Sequence, residues 1–133
     1  MKTIVTDTSA IVAIILEEPE KQKILDFIRD ANLIAPGCLY WEVGNALSAR
    51  FKRGQFTVDK AVSALQTFQN IPITYIDIPL KSALQMAKKL NIYAYDAYFL
   101  HCALQSDFPL ISLDKTLCQH ATTMGITVLE VNK

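Results

Sequence analysis

The chain has 133 residues, 51% of them apolar, which is enough for one domain with a real core and too few for two. Lys and Arg balance Asp and Glu to a formal charge of zero, which excludes diffuse attraction to nucleic acid as its main device. A polyanion would have to be held by a local patch or by a metal ion.

Thr3 to Thr6 is a β-branched run, predicted as a strand buried on both faces. A helix over about Ser9 to Leu16 follows, and Asp7 at the seam is the only charge between Lys2 and Glu17. That charge, the acidic stretch Glu17-Glu18-Pro19-Glu20 and the lack of a small-residue cleavage site argue against a signal peptide. No charge-free run approaches a membrane span. Cys38, Cys102 and Cys118 are odd in number and share no metal-type spacing, so we expect a soluble protein of a reducing, cytoplasmic setting.

Pro19 opens a second helix to about Ala31, and Leu33-Ile34-Ala35 is a short strand stopped by Pro36-Gly37. A helix from Leu39 to Lys52 carries the stripe Leu39, Val43, Ala46, Leu47 and is ended by Gly54. Thr57 caps the next helix, with Val58, Ala61, Val62, Leu65 and Phe68 predicted inward. Ile73 to Ile76 is a third strand, and Pro79 opens a helix reaching Leu90. Asp96 to Gln105 is a helix apolar nearly all round, hence central. Leu110-Ile111-Ser112 is a fourth strand, Asp114 starts a helix to about Thr122, and Ile126 to Leu129 is a last strand. Strands alternating with helices predict a single α/β domain over residues 1–133, with a parallel sheet covered on both sides.

Four acids fall in matching places. Asp7 ends the first strand and Asp114 follows the fourth, and the C-terminal ends of parallel strands share one edge, where open α/β sheets bind ligands. Asp96 begins the most apolar helix, and Glu42 borders an apolar stripe with Asn45 one turn on. Taken singly, Asp7 or Thr8 reads equally well as a helix cap, Asp96 and Asp114 read first as N-terminal helix acids favoured by the dipole, and Glu42 reads as a solvated edge residue. Taken together, four carboxylates within reach of one another repel by roughly 1–4 kcal/mol per pair at about 4 Å and need a counter-charge. No Lys or Arg accompanies Asp7 or Asp96 in sequence, and oxygen-only ligands suit Mg²⁺ or Mn²⁺.

Asp-Thr-Ser-Ala near the start, Trp-Glu-Val-Gly-Asn-Ala-Leu, Tyr-Asp-Ala-Tyr-Phe-Leu and Ser-Leu-Asp-Lys resemble, in order and at the expected distances, the PIN domain. Within that family they look most like the VapC-type ribonuclease toxins of bacterial toxin–antitoxin modules. The resemblance implies a three-layer α/β/α fold with sheet order 3-2-1-4-5. It also implies a catalytic quartet of Asp7, Glu42, Asp96 and Asp114, with Ser9, Asn45 and Ser112 as accessory polar positions. Where this chain has Ser112, family members often have Thr, which keeps the hydroxyl. The implied activity is metal-dependent hydrolysis of RNA to 5′-phosphate and 3′-hydroxyl ends. One or two Mg²⁺ or Mn²⁺ ions would be held by Asp7, Asp96 and Asp114, and Glu42 would orient or deprotonate the attacking water. The implied partners are an RNA substrate, a cognate antitoxin and a second copy of the chain.

Arg50, Lys52 and Arg53 end the Glu42 helix and are either phosphate contacts or a solvated last turn favoured by the helix dipole. His101 reads as a hydrogen-bonded core histidine and His120 as a surface residue. Trp41, Tyr93, Tyr95 and Tyr98 read as core or subunit contacts. Asp77, after the rim strand, reads as structural. Two rival functions are a phosphoacceptor receiver domain and a PIN-fold scaffold that binds without cutting. A receiver needs an acidic pair at the first strand and a Lys after the last, whereas Thr6 precedes Asp7 and the chain closes on Glu130-Val131-Asn132-Lys133. An aspartyl phosphatase needs a second Asp where Ser9 stands.

Overall fold

The computed structural model describes residues 1–132. At its centre is β1 (Lys2–Thr6), in which Ile4, Val5 and Thr6 are all buried. Successive strand residues point to opposite faces, so three buried in a row mean that both faces are covered. β2 (Ala31–Pro36) pairs parallel with β1 on one side, and β4 (Leu110–Ile111) pairs parallel with it on the other. β3 (Ile73–Ile76) adds to β2 and β5 (Val128–Leu129) to β4, giving the order β3-β2-β1-β4-β5, all parallel. The expected fold class and strand order are observed.

The helices follow from their apolar spacing. α1 (Thr8–Ile15) has every residue from Ala10 to Ile15 buried, because α2 (Lys21–Ile28), α3 (Cys38–Lys52) and α4 (Val58–Gln69) all pack on it. α2 is shorter at both ends than the sequence suggested: Asp30 turns left-handed (φ 61°) and the chain is already in β2 at Ala31. α3 buries Leu39, Val43 and Leu47 and stops where Gly54 takes φ 74°. Thr57 caps α4, its hydroxyl accepting from the Lys60 N–H at 3.2 Å. The inward face of α4 is Ala61, Ala64 and Phe68; Val58 and Val62, expected inward, are exposed because they lie off that stripe.

α5 (Leu80–Leu90) pairs with α6 (Ala94–Ser106), and α6 packs on β1 and β2. α6 is buried at Ala97, Phe99, Leu100, Cys102 and Ala103. Its His101 departs from expectation, since its buried Nδ1 finds no hydrogen-bond partner. α7 (Lys115–Thr123) packs on α6 and β5. The short β4 and β5 leave Ser112 and Ile126 just outside the ladder. No helix among the described residues is long and apolar enough to cross a membrane.

Candidate active site

Asp7 leaves β1 and caps α1. Its Oδ1 accepts the Ala10 N–H at 3.0 Å, and the residue is extended (φ −96°, ψ 177°), as a capping residue must be. It does more than cap. The Ser9 hydroxyl lies 2.7 Å from Oδ1 and 2.9 Å from Oδ2, and the Ser112 hydroxyl donates to Oδ2 at 2.5 Å. The same two hydroxyls accept backbone N–H groups from the loop between β4 and α7: Leu113 to Ser9 at 2.9 Å and Asp114 to Ser112 at 2.9 Å. Ser9 and Ser112 therefore staple the Asp114 loop to the Asp7 carboxylate. Asp114 is the cap of α7, its Oδ1 accepting from the Leu117 N–H at 3.0 Å.

Glu42 sits in the second turn of α3. The Thr8 hydroxyl donates to its Oε1 at 3.3 Å, while its Oε2 is buried with no hydrogen-bond partner. Asp96 falls in the first turn of α6, not at its cap, because Tyr93 takes the capping position and the helix begins at Ala94. There it gains from the helix dipole while facing the other acids.

The electrostatics tie the four together. Burial pushes Asp7 up from its ordinary 3.8 to about 6, against the lowering effect of the Ser112, Ser9 and Ala10 donors, and the Asp114 charge adds to the rise. Burial raises Asp96, Asp114 raises it further, and His120 opposes. Burial raises Glu42, the Cys38 thiol and Thr8 hydroxyl oppose, and Asp96 adds to the rise. Repulsion thus runs Asp7–Asp114–Asp96–Glu42, linking all four predicted acids in one neighbourhood. None of the ion pairs found among the described residues (Lys21–Glu17, Arg29–Asp26, Arg50–Glu18) involves any of the four.

The donor chemistry suits a hard divalent cation: oxygen ligands, proton affinities of Asp7, Glu42 and Asp96 raised by burial and like charge, and, among the described residues, no paired Lys or Arg. As placed, the side chains are not closed around an ion. Among the described residues, no group of three or more His, Cys, Asp or Glu stands close enough to chelate one. Three donor groups already occupy the Asp7 oxygens, and Asp114 is turned to its own helix.

Other sequence candidates lie elsewhere. Asn45 is exposed one turn beyond Glu42. Arg50 is not at the site: it pairs with Glu18 at 3.0 Å, past the far end of α1. Lys52 and Arg53 are exposed about 15 Å further along the α3 axis than Glu42. Trp41 (75% exposed), Tyr93 (85%) and Tyr95 (58%) are not core. Thr8 and Cys38 are the contacts of Glu42 that were not singled out for it. Cys38 had a readable signal, four residues before Glu42 on one helix face, but the Thr8 contact spans 34 residues and had none.

A parallel α/β sheet with an uncompensated carboxylate cluster at its C-terminal edge defines a candidate site for hard-metal phosphoester chemistry. The profile described as PIN domain matches residues 4–122, and the chain belongs to the PIN domain family. Solved structures share the fold at low identity. PAE2754 from Pyrobaculum aerophilum matches with a TM-score of 0.73 and 21% identity over 96% of this chain and 83% of that one. VapBC2 from Rickettsia felis, bound to a DNA fragment from its promoter, gives 0.66 and 13% over 96% and 97%. VapBC-1 from nontypeable Haemophilus influenzae gives 0.64 and 14% over 98% and 99%. No curated protein matches the chain.

Proposed function

We propose that this PIN-domain protein is a metal-dependent endoribonuclease and the VapC-type toxin of a toxin–antitoxin pair. The observation that carries the reading is the run of repulsion Asp7–Asp114–Asp96–Glu42, opposed only by His120 near Asp96 and with no Lys or Arg ion pair to any member found among the described residues. Such a cluster is costly unless it serves to hold positive charge. Asp7, Asp96 and Asp114 are the residues to hold Mg²⁺ or Mn²⁺. A divalent ion there offsets charge on phosphate oxygens and acidifies a bound water. Glu42 presents the buried, unpartnered Oε2 to accept a proton from the attacking water. Ser9 and Ser112 keep Asp7 oriented, and Asn45 lines the approach beside Glu42. Lys52 and Arg53 serve phosphates remote from the cut.

The structural relatives solved as VapBC complexes make an antitoxin the natural protein partner. The acidic crevice suits an antitoxin tail that places a cationic side chain among the carboxylates. A homodimer is supported by apolar side chains left in solvent. Tyr40 touches Trp41 (centroids 4.9 Å) and Tyr75 (6.4 Å) at the β3 rim, and Leu80 and Leu84 share one exposed face of α5.

One observation favours the scaffold alternative: among the described residues, no three His, Cys, Asp or Glu side chains stand close enough together to chelate an ion as placed. Purified protein incubated with total RNA separates the two. Cleavage that needs Mg²⁺ or Mn²⁺, stops with chelator and is lost in Asp7→Asn and Asp96→Asn supports the nuclease. Chelator-resistant cutting, or folded protein that cuts no RNA with either ion, overturns it.

A further inference from the structure

Glu42 is held by groups that the family resemblance does not assign. Its Oε1 receives the hydroxyl of Thr8, the first residue of α1 and the immediate neighbour of Asp7. At 3.3 Å this bond is long for a hydroxyl donor. The other oxygen, Oε2, is buried and has no partner. The Cys38 thiol, one turn earlier on α3, lies against the carboxylate, and burial raises its pKa so that it stays a neutral thiol. A half-buried carboxylate with one oxygen tethered and the other buried without a hydrogen-bond partner is unusual, because buried polar atoms normally find donors.

We infer that Thr8 is a positioning residue for Glu42, fixing Oε1 so that the unpartnered Oε2 faces the substrate side of the site. This rests on the nuclease reading above. α1 and α3 touch chiefly through apolar residues, which set their separation but not the rotamer of a three-torsion side chain such as Glu42. The hydroxyl supplies that constraint. It comes from the residue next to Asp7, so one helix start orients both the first acid of the quartet and its proton acceptor. Thr8 touches no substrate atom, and its effect is confined to the fraction of time Glu42 is correctly aimed. Losing it lowers kcat and leaves KM unchanged.

The test is steady-state cleavage of one RNA with Mn²⁺ by wild type, Thr8→Val, Thr8→Ser, Glu42→Gln and the Thr8→Val/Glu42→Gln pair. Thr8→Val keeps shape and removes the donor. It should lower kcat about tenfold with KM little changed, the scale of a misaligned catalytic group. Thr8→Ser should restore the rate, and Thr8→Val should cost nothing more once Glu42 is Gln. A Thr8→Val enzyme with wild-type kcat overturns the inference, as does failure of Thr8→Ser to rescue or an undiminished loss in the Gln background. If wild type and Glu42→Gln cut alike, Glu42 is not the proton acceptor and the inference fails; if folded wild type cuts with neither Mn²⁺ nor Mg²⁺, the nuclease reading itself fails. A thermal melt of Thr8→Val that matches wild type excludes unfolding as the cause.

Discussion

Asp7→Asn should behave unlike an ordinary substitution of a buried, hydrogen-bonded residue. Asp7 is 5% exposed, and burial raises its pKa from 3.8 to about 6 despite three donor groups. The folded protein therefore holds a proton that the unfolded chain releases between about pH 4 and pH 6. The native state binds more protons across that window, so stability falls as pH rises through it, and the full penalty stands above about pH 6. The difference between 3.8 and about 6 amounts to about 3 kcal/mol at ~1.4 kcal/mol per tenfold. That figure is an upper one, since the Ser9 and Ser112 hydroxyls must reorient around an amide. Asn keeps an Oδ1 for the Ala10 N–H, and Asn and Asp cap helices about equally well.

Without metal at pH 7.5, Asp7→Asn should thus melt at or above the wild-type temperature, by several degrees if half the penalty is recovered. Near pH 4 the two curves should converge. With Mg²⁺ at a hundredfold excess over its dissociation constant, wild type gains about 2.7 kcal/mol and Asp7→Asn gains much less. Thermal melts of both proteins at pH 4.5, 6 and 7.5, each with chelator and with excess Mg²⁺, make the comparison. A uniform loss of about 0.5–2 kcal/mol in Asp7→Asn, at every pH and with or without metal, would show Asp7 to be a helix cap and nothing more.

Ser112→Ala removes the donor to Asp7 Oδ2 and leaves the Asp114 N–H unpaired, so it should destabilise by about 1–3 kcal/mol in denaturant melts, with Ser112→Thr near wild type. An alanine variant as stable as wild type would refute the staple. On the proposed homodimer, wild type should sediment as a dimer at micromolar concentration and Trp41→Ser as a monomer, since a Trp left 75% exposed is the type of side chain that anchors interfaces. An unchanged sedimentation coefficient would remove Trp41 from the interface.

What the sequence disclosed and what it hid divide along physical lines. β1 was legible because three consecutive buried β-branched residues leave no polar face, and Asp7 because it is the sole charge in a long apolar stretch. The Thr57 cap and the Gly54 stop were legible because both act within a few residues. The strand order came from the family resemblance, since two-residue β4 and β5 carry no periodicity to read. α6 began two residues early because Tyr93, no standard capping residue, takes that place, which moved Asp96 into the first turn. Arg50 reads in sequence as either a solvated last-turn cation or a phosphate contact, and its ion pair escapes notice there because its partner Glu18 lies 32 residues away. Trp41 and Tyr93 read in sequence as core or subunit contacts, and their exposure rules out the first; composition does not say which apolar residues are left over when the core is full.

The Ser9–Asp7–Ser112 network explains how so short a strand carries a site residue. β4 has two residues, and its ladder alone ties the following loop only weakly to β1. Ser9 and Ser112 take over where the ladder ends: each hydroxyl accepts one N–H from the loop and donates to Asp7, which lies beyond the last paired residue of β1. These contacts hold the rise of Asp7 to about 6 against a larger effect of burial, and the roughly 3 kcal/mol that remains is the net cost of keeping it ionised. The balance leaves the carboxylate charged at neutral pH with little margin. A neutral Asn at the same place would serve the fold as well or better. The acid is therefore best explained by what it would attract, and Asp114, which repels it, with Asp96 and Glu42 next in the run, marks the side on which the proposed cation would sit.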